Sequence, residues 1–219
     1  MTKQQILDAY AFRHACKAFD SDKKISDDDF ELILETGRLS PSSFGFEPWQ
    51  FLVIQNPELR EKLLPLVCGQ QQVPTASHLL ITLSRRGDSL KPGSDYLTSF
   101  MQDVQKLPAE IVKMKGDFYA LFHQELFQLA GDERKIADWA AKQTYLPMAN
   151  MMTTAALLGI DSCPIEGFKQ QEVENFLAQE IELDLTTFGV AHITAFGYRK
   201  AEPARAKTRR AAVDVVQWY

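Results

Sequence analysis

The chain has 219 residues, 45% of them hydrophobic and 24% charged, with a formal net charge of −5. Its length suits a single domain spanning residues 1–219, and the composition excludes disordered or collagen-like classes. An acidic surface would repel a nucleic-acid backbone, so nucleic acid is not an expected partner.

Cys16, Cys68 and Cys163 are scattered and form no CxxC pair, which argues against a disulfide framework and a structural zinc site and favours a reducing compartment. The amino terminus lacks a signal-peptide apolar region, and no stretch approaches eighteen apolar residues. A soluble cytoplasmic protein with no membrane partner is the expectation.

In chain order, Ile6, Leu7 and Tyr10 predict a short helix over 3–12 that runs into the basic set Arg13, His14 and Lys17. Ser26, with Asp29 three residues on, resembles a capping box. It opens a helix to about Leu39 whose inner face is Phe30, Ile33, Leu34 and Gly37. Residues 40–48 (SPSSFGFEP) are a loop by turn chemistry. Residues 50–55 read as a buried strand, and Pro57 opens a helix to about Val67.

Residues 78–83 and 190–196 read as two further buried strands, with mostly helix between them. The longest helix is predicted from about Asp132 to Leu158, stopped by Gly159, with a kink or break at Pro147. Residues 160–168 form a strand or extended segment with a turn, followed by a helix from about Gln170 to Ala178. The tail from Arg199 to Tyr219 is basic and then apolar, a pattern that favours docking on its own surface or a partner's.

None of the eleven glycines sits in a GxGxxG, GxSxG or Walker arrangement, so a tightly held Rossmann dinucleotide is not expected. His14, His78, His123 and His192 form no HExxH or HxxxH pattern, and no metal site is predicted. Two basic groups remain: Arg13, His14 and Lys17 at one end, and Arg199, Lys200, Arg205, Lys207, Arg209 and Arg210 at the other. They are either solvated surface or two halves of a phosphate cage. On an extended segment Lys207 and Arg209 would point to one side.

RHACKAFD (13–20), SPSSFGFEPWQF (40–51), QQQVPTASH (70–78), WAAKQTYL (139–146), PIEGF (164–168) and KTRR (207–210) resemble, in order, the successive blocks of the nitroreductase family. The second and third blocks resemble a subgroup of NAD(P)H-dependent oxidoreductases. The resemblance implies an α+β fold with a central mixed, mainly antiparallel sheet flanked by helices. It also implies a homodimer in which the arm 199–219 crosses to the partner subunit, and FMN bound non-covalently at the interface.

The residue roles that follow are those the resemblance implies. Arg13, His14 and Lys17 form the first cofactor-binding block, with Arg13 toward the phosphate and Lys17 toward the flavin ring. Lys207 and Arg209 form the second half of the phosphate clamp, and Ser42 and Ser43 reach the cofactor of the other subunit. Gln72, helped by Gln70, lies near the flavin pyrimidine. Pro164, Ile165, Glu166 and Gly167 lie along one flavin face, with an amide near Glu166 directed at N5. No catalytic side chain is required, because a flavin accepts hydride itself and the protein supplies orientation and a cation.

The implied activity is electron transfer from NAD(P)H through FMN to nitroaromatics, quinones or related small acceptors in two steps. The alternatives are a reductase of a dihydropteridine, an enone or free flavin, a flavin-binding module without turnover, and a thiol enzyme using Cys16 or Cys163. Phe44 and Phe46, two aromatics in a Gly/Pro/Ser loop, line either a dimer contact or the acceptor pocket. Trp49 and Trp139 read as core.

Overall fold

A computed structural model describes residues 2–219. Helix α1 (Lys3–Phe12) starts at a capping box in which Thr2 and Gln5 satisfy each other's backbone N–H groups. Helix α2 (Asp27–Arg38) starts at Ser26, whose hydroxyl accepts from the Asp29 N–H. Three aspartates in its first turn and Arg38 in its last complement the helix dipole. Loop 40–48 contains one short 3₁₀ turn, Ser43–Gly45, and leads to strand β1 (Trp49–Val53).

Asn56 caps α3 (Pro57–Leu63), where the missing proline N–H costs nothing at a helix start. After the short α4 (Gln72–Thr75) comes β2 (His78–Arg85). A helical excursion follows: α5 (Asp95–Ser99) and α6 (Ala109–Leu121) each continue into a π-helical turn, Phe100–Val104 and Phe122–Leu126. Helix α7 (Glu133–Leu157), β3 (Asp161–Ile165), α8 (Gln170–Ile181) and β4 (Phe188–Gly197) complete the framework.

The four strands form one sheet in the order β1-β2-β4-β3, with every neighbouring pair antiparallel. Among the described residues, parallel pairing is confined to an isolated bridge that joins Ala15 to Ser162 on β3. Both sheet faces are covered, which is why β2 and β4 read as unbroken apolar runs. One face, with Leu79, Ile81, Leu83, Ile193 and Cys163, packs with Leu63, Val67, Val173 and Leu177 from the α3 region and α8. The other, with Leu80 and Phe196, packs with Phe30 and Ile33 of α2 and with Met148, Met151 and Met152 of α7.

Helices α2 and α7 approach closely at Gly37, where a Cβ would lie 2.7 Å from the Met151 sulfur. That contact explains a glycine on the buried face of a helix. A third cluster joins Phe46, Leu90, Leu97, Met101, Tyr119 and Phe122 to Trp139 and Ile136 at the start of α7.

Two sequence expectations are corrected here. Residues 50–55 are not a buried strand, because β1 is the edge of the sheet, bonded only to β2, and Gln50 and Val53 are exposed. Pro147 does not break α7, which continues for 25 residues. The bond lost at Gln143 O is local, while Met148, Met151, Met152 and Ala155 pack the rest of the helix into the core.

Trp139 is core, as expected, and Trp49 is half-buried. The tail beyond Tyr198 has one short 3₁₀ turn, Ala212–Asp214, and Trp218 is 92% exposed. Among the described residues no helix is long and apolar enough to cross a membrane, and no cluster of His, Cys, Asp and Glu could hold a metal.

Candidate cofactor site

At the end of α1 the backbone turns extended at Arg13, which starts the segment carrying His14 and Lys17. Arg199 pins this turn. Its guanidinium lies 2.8 Å from buried Asp161, donates to Phe12 O at 3.3 Å and stacks 4.3 Å over the Phe12 ring. His14 Nδ1 lies 3.4 Å from the same aspartate. Arg199 is therefore neutralised by Asp161 and Glu202, and its role is to brace the segment.

The neighbouring cations are different. Arg13, Lys207 and Arg209 line a cavity of about 630 Å³ together with His14 and Arg205, and among the described residues none of the three has a carboxylate within 4 Å. Partial burial, followed by the charges of Arg13 and Arg209, pushes the Lys207 pKa down. Glu202 also lines the cavity but is paired with Arg199, so the three cations outnumber the acid there and the arrangement favours an anion.

Farther along the segment, the bridge at Ala15 and the hydrogen bond from Cys16 N to Ser162 O lay the chain beside β3. Lys17 Nζ consequently sits 3.9 Å from the buried Cys163 sulfur, and Gln72 Nε2 sits 3.6 Å from the same atom. Gln72 also reaches Gln70 Oε1 at 3.4 Å, and Gln70 donates to Gly167 O at 2.8 Å. Lys17, Gln70, Gln72 and the exit of β3 thus meet at one place.

The β3 exit presents backbone to this place. The Ile165 side chain is buried in the core, and Pro164 is half-buried. The N–H groups of Glu166 and Gly167 have no acceptor among the described residues. A Cβ at Gly167 would meet only Gln70 Nε2, at 3.5 Å, and the residue is not in the left-handed region, so the chain itself does not demand glycine there. Close approach of a ligand would.

Arg13 and Lys17 lie on one segment that spans at most about 14 Å. The residues therefore fit an elongated ligand with an anionic end at Arg13, Lys207 and Arg209 and a flat, hydrogen-bonding end at Lys17, Gln72 and Glu166–Gly167.

Ser42, Ser43, Phe44 and Phe46 are not brought to this site within the chain. Ser43 N donates to Gln143 Oε1 at 2.9 Å, and Ser42 Oγ accepts from Glu47 N at 2.9 Å. Phe46 is fully buried in the aromatic cluster, so it lines neither an acceptor pocket nor a dimer contact. The aromatic pair escapes water by packing on the excursion between β2 and α7: Phe44 stacks on Phe46 at 5.5 Å, and Tyr119 meets both rings edge-on. Phe44 remains partly exposed, 5.9 Å from the exposed Phe118 ring.

Sequence reasoning missed Tyr145 and the place of Cys163. Tyr145 donates from its hydroxyl to Glu166 Oε1, and its ring lies 5.2 Å from His192. The only available signal was its position in the WAAKQTYL block.

The nitroreductase family model matches residues 10–198. The chain is 48% identical, over 99% of its length and 98% of the relative's, to the Bacillus subtilis (strain 168) protein "Putative NAD(P)H nitroreductase YfkO". Among solved structures it is similar to Bacillus subtilis ydfN, with a TM-score of 0.79, 20% identity and full coverage of both chains. It is also similar to a chain from Exiguobacterium sibiricum crystallised in complex with FMN, with a TM-score of 0.75 and 21% identity over 100% and 99% of the two chains. With the family model covering both β3 and the basic turn after α1, this chain belongs to the nitroreductase family.

Proposed function

We propose that the protein is a homodimeric oxidoreductase that holds FMN non-covalently and passes electrons from NAD(P)H to nitroaromatics, quinones or related small acceptors in two alternating steps. The observation that carries this reading is the uncompensated set Arg13, Lys207 and Arg209, joined by a single segment to Lys17 and the Glu166–Gly167 backbone. The relative named for NAD(P)H and the neighbour crystallised with FMN support the choice of donor and cofactor.

Bound FMN supplies a ring that takes hydride and returns electrons. The chain's own tasks are binding and orientation. Arg13, Lys207 and Arg209 hold the phosphate, and Lys17 offers its ammonium to negative charge developing on the ring. Gln70 and Gln72 hydrogen-bond the ring's polar edge. The N–H groups of Glu166 and Gly167, free among the described residues, would be available to the ring, and the absence of a side chain at Gly167 would let it approach the backbone.

Dimerisation is supported by what a single chain leaves uncovered. Strand β1 is an edge with an unpaired side, and Val213, Val215, Val216 and Trp218 of the tail are exposed. An apolar arm on a partner's open strand satisfies both surfaces. The same exchange would carry Ser42 and Ser43 to the other subunit's cofactor.

The test is an absorbance spectrum after reconstitution with excess FMN, then anaerobic mixing with NADH or NADPH and a screen of oxidants. Flavin bands that bleach with a nicotinamide and return with a nitroaromatic or quinone are expected. A protein without flavin bands sinks the cofactor assignment, and a flavoprotein inert to both donors sinks the enzyme.

A further inference from the structure

The exit of β3 is held from two opposite elements, and the binding roles assigned above do not use one of the two holding residues. Tyr145, on α7, donates its phenol hydrogen to Glu166 Oε1. Gln70, in the turn before α4, donates Nε2 to the next carbonyl along, Gly167 O, at 2.8 Å, and to Val67 O at 3.0 Å. Phe168 N closes the turn by donating to Glu166 O at 3.0 Å.

Tyr145 is itself well fixed. Its ring leans on His192, a fully buried residue of β4 whose Nε2 meets Thr144 O at 3.3 Å. The phenol is a dependable donor, because burial, the bond to Glu166 and the glutamate charge push its pKa up to about 12. Its acceptor is a carboxylate, which makes the contact stronger than a neutral pair. An exposed loop after a strand would otherwise be free to move, since Glu166 is solvent-exposed and its N–H and that of Gly167 have no acceptor among the described residues.

We propose that Tyr145 and Gln70 are positioning residues that clamp the Glu166–Gly167 peptide from both sides, keeping its two free N–H groups aimed at the isoalloxazine ring. The inference rests on the flavin reading above. The clamp makes binding stronger by fixing these donors before the ligand arrives, so less order is lost on association. Gln70 thereby acts through the backbone as well as through any direct contact with the ring.

Three readouts on the full-length protein test it: hydrogen exchange of the peptide containing Phe168 in the FMN-free protein, the FMN dissociation constant, and the midpoint potential of the bound flavin. For Tyr145→Phe and Gln70→Met, exchange confined to residues 166–169 should quicken about tenfold, and FMN should bind several-fold more weakly with a shifted potential. Glu166→Gln, whose side-chain oxygen still accepts from Tyr145 but without the charge, should quicken exchange of Phe168 less than Tyr145→Phe does.

Unchanged exchange and affinity in Tyr145→Phe would overturn the clamp. So would faster exchange spread over the whole chain, which is what a merely structural residue produces. If the wild type binds no FMN, the functional reading fails, while the FMN-free exchange still reports on the clamp.

Discussion

Lys207 donates from its ammonium to the backbone carbonyl of Tyr10, a residue 197 positions earlier in the chain. The bond ties the carboxyl-terminal basic segment to the last turn of α1, where carbonyls lack helical partners and a cation is welcome. It also holds Lys207 beside Arg13, so that the two basic groups, far apart in sequence, share one cavity that is the proposed phosphate site.

Replacing Lys207 or Arg209 by Ala should therefore weaken FMN binding by about 10- to 100-fold, the loss of one charge-assisted contact of about 1.5–3 kcal/mol. Riboflavin, which has no phosphate, should bind each variant as it binds the wild type. Fluorescence titration with both ligands checks this, and equal losses for the two would refute the clamp.

Lys17 is exposed apart from its contact with the Cys163 sulfur, so Lys17→Met should fold normally. Its ammonium is the cation nearest the proposed ring end. Removing it should destabilise the reduced, more negative flavin and lower the midpoint potential. Dye-coupled reductive titration measures this, and a potential equal to the wild type would show that Lys17 is not beside the ring.

Truncation after Arg210 removes the apolar residues Val213, Val215, Val216 and Trp218 while leaving Lys207 and Arg209 in place. Assembly and flavin retention should fall together, because the serines of loop 40–48 would no longer reach a partner's cofactor. Sedimentation at several concentrations, with flavin measured in each species, is the check. A fully loaded truncated dimer would show that the arm is dispensable.

His192 is fully buried, and desolvation pushes its pKa down from 6.5 to about 4, against smaller raising effects of Thr144 O and Glu166. A histidine whose folded pKa is depressed must be neutral to stay folded. Its contribution is complete above about pH 6.5 and is lost as pH falls toward 4, for a total on the order of 3 kcal/mol. His78, stacked 3.8 Å from Phe30, is lowered to about 4 mainly by burial and acts in the same direction. Urea midpoints should fall steadily from pH 6.5 to 4. A His192 imidazole resonance titrating near 6.5 in the folded protein would contradict this.

Local order was legible in the sequence because its causes are local. Ser26, Asn56-Pro57, Asp132 and Gly159 mark helix ends by chemistry that acts within four residues, and the helices begin and stop there. The two basic blocks were equally readable as charge, and the structure brings Arg13, Lys207 and Arg209 to one cavity. Strand position was not legible. The run at 50–55 is as apolar as a central strand, and only its place at the edge of β1-β2-β4-β3 decides that half of it meets water.

Burial of loop aromatics was undecided for the same reason. Phe44 and Phe46 look alike in sequence, but the excursion carrying Tyr119 and Phe122 covers Phe46 completely and leaves Phe44 partly open. Tyr145 and Glu166 meet only because α7 lies across the sheet that ends in β3, a contact between residues 21 positions apart that no local spacing announces. The sequence by itself determined the elements, their caps and the chemistry available to an anionic ligand, because those depend on neighbours along the chain. The tertiary structure alone decided which cations lack an acid, which aromatic is core and which side chains hold the β3 exit, because burial and ion pairing depend on neighbours in space.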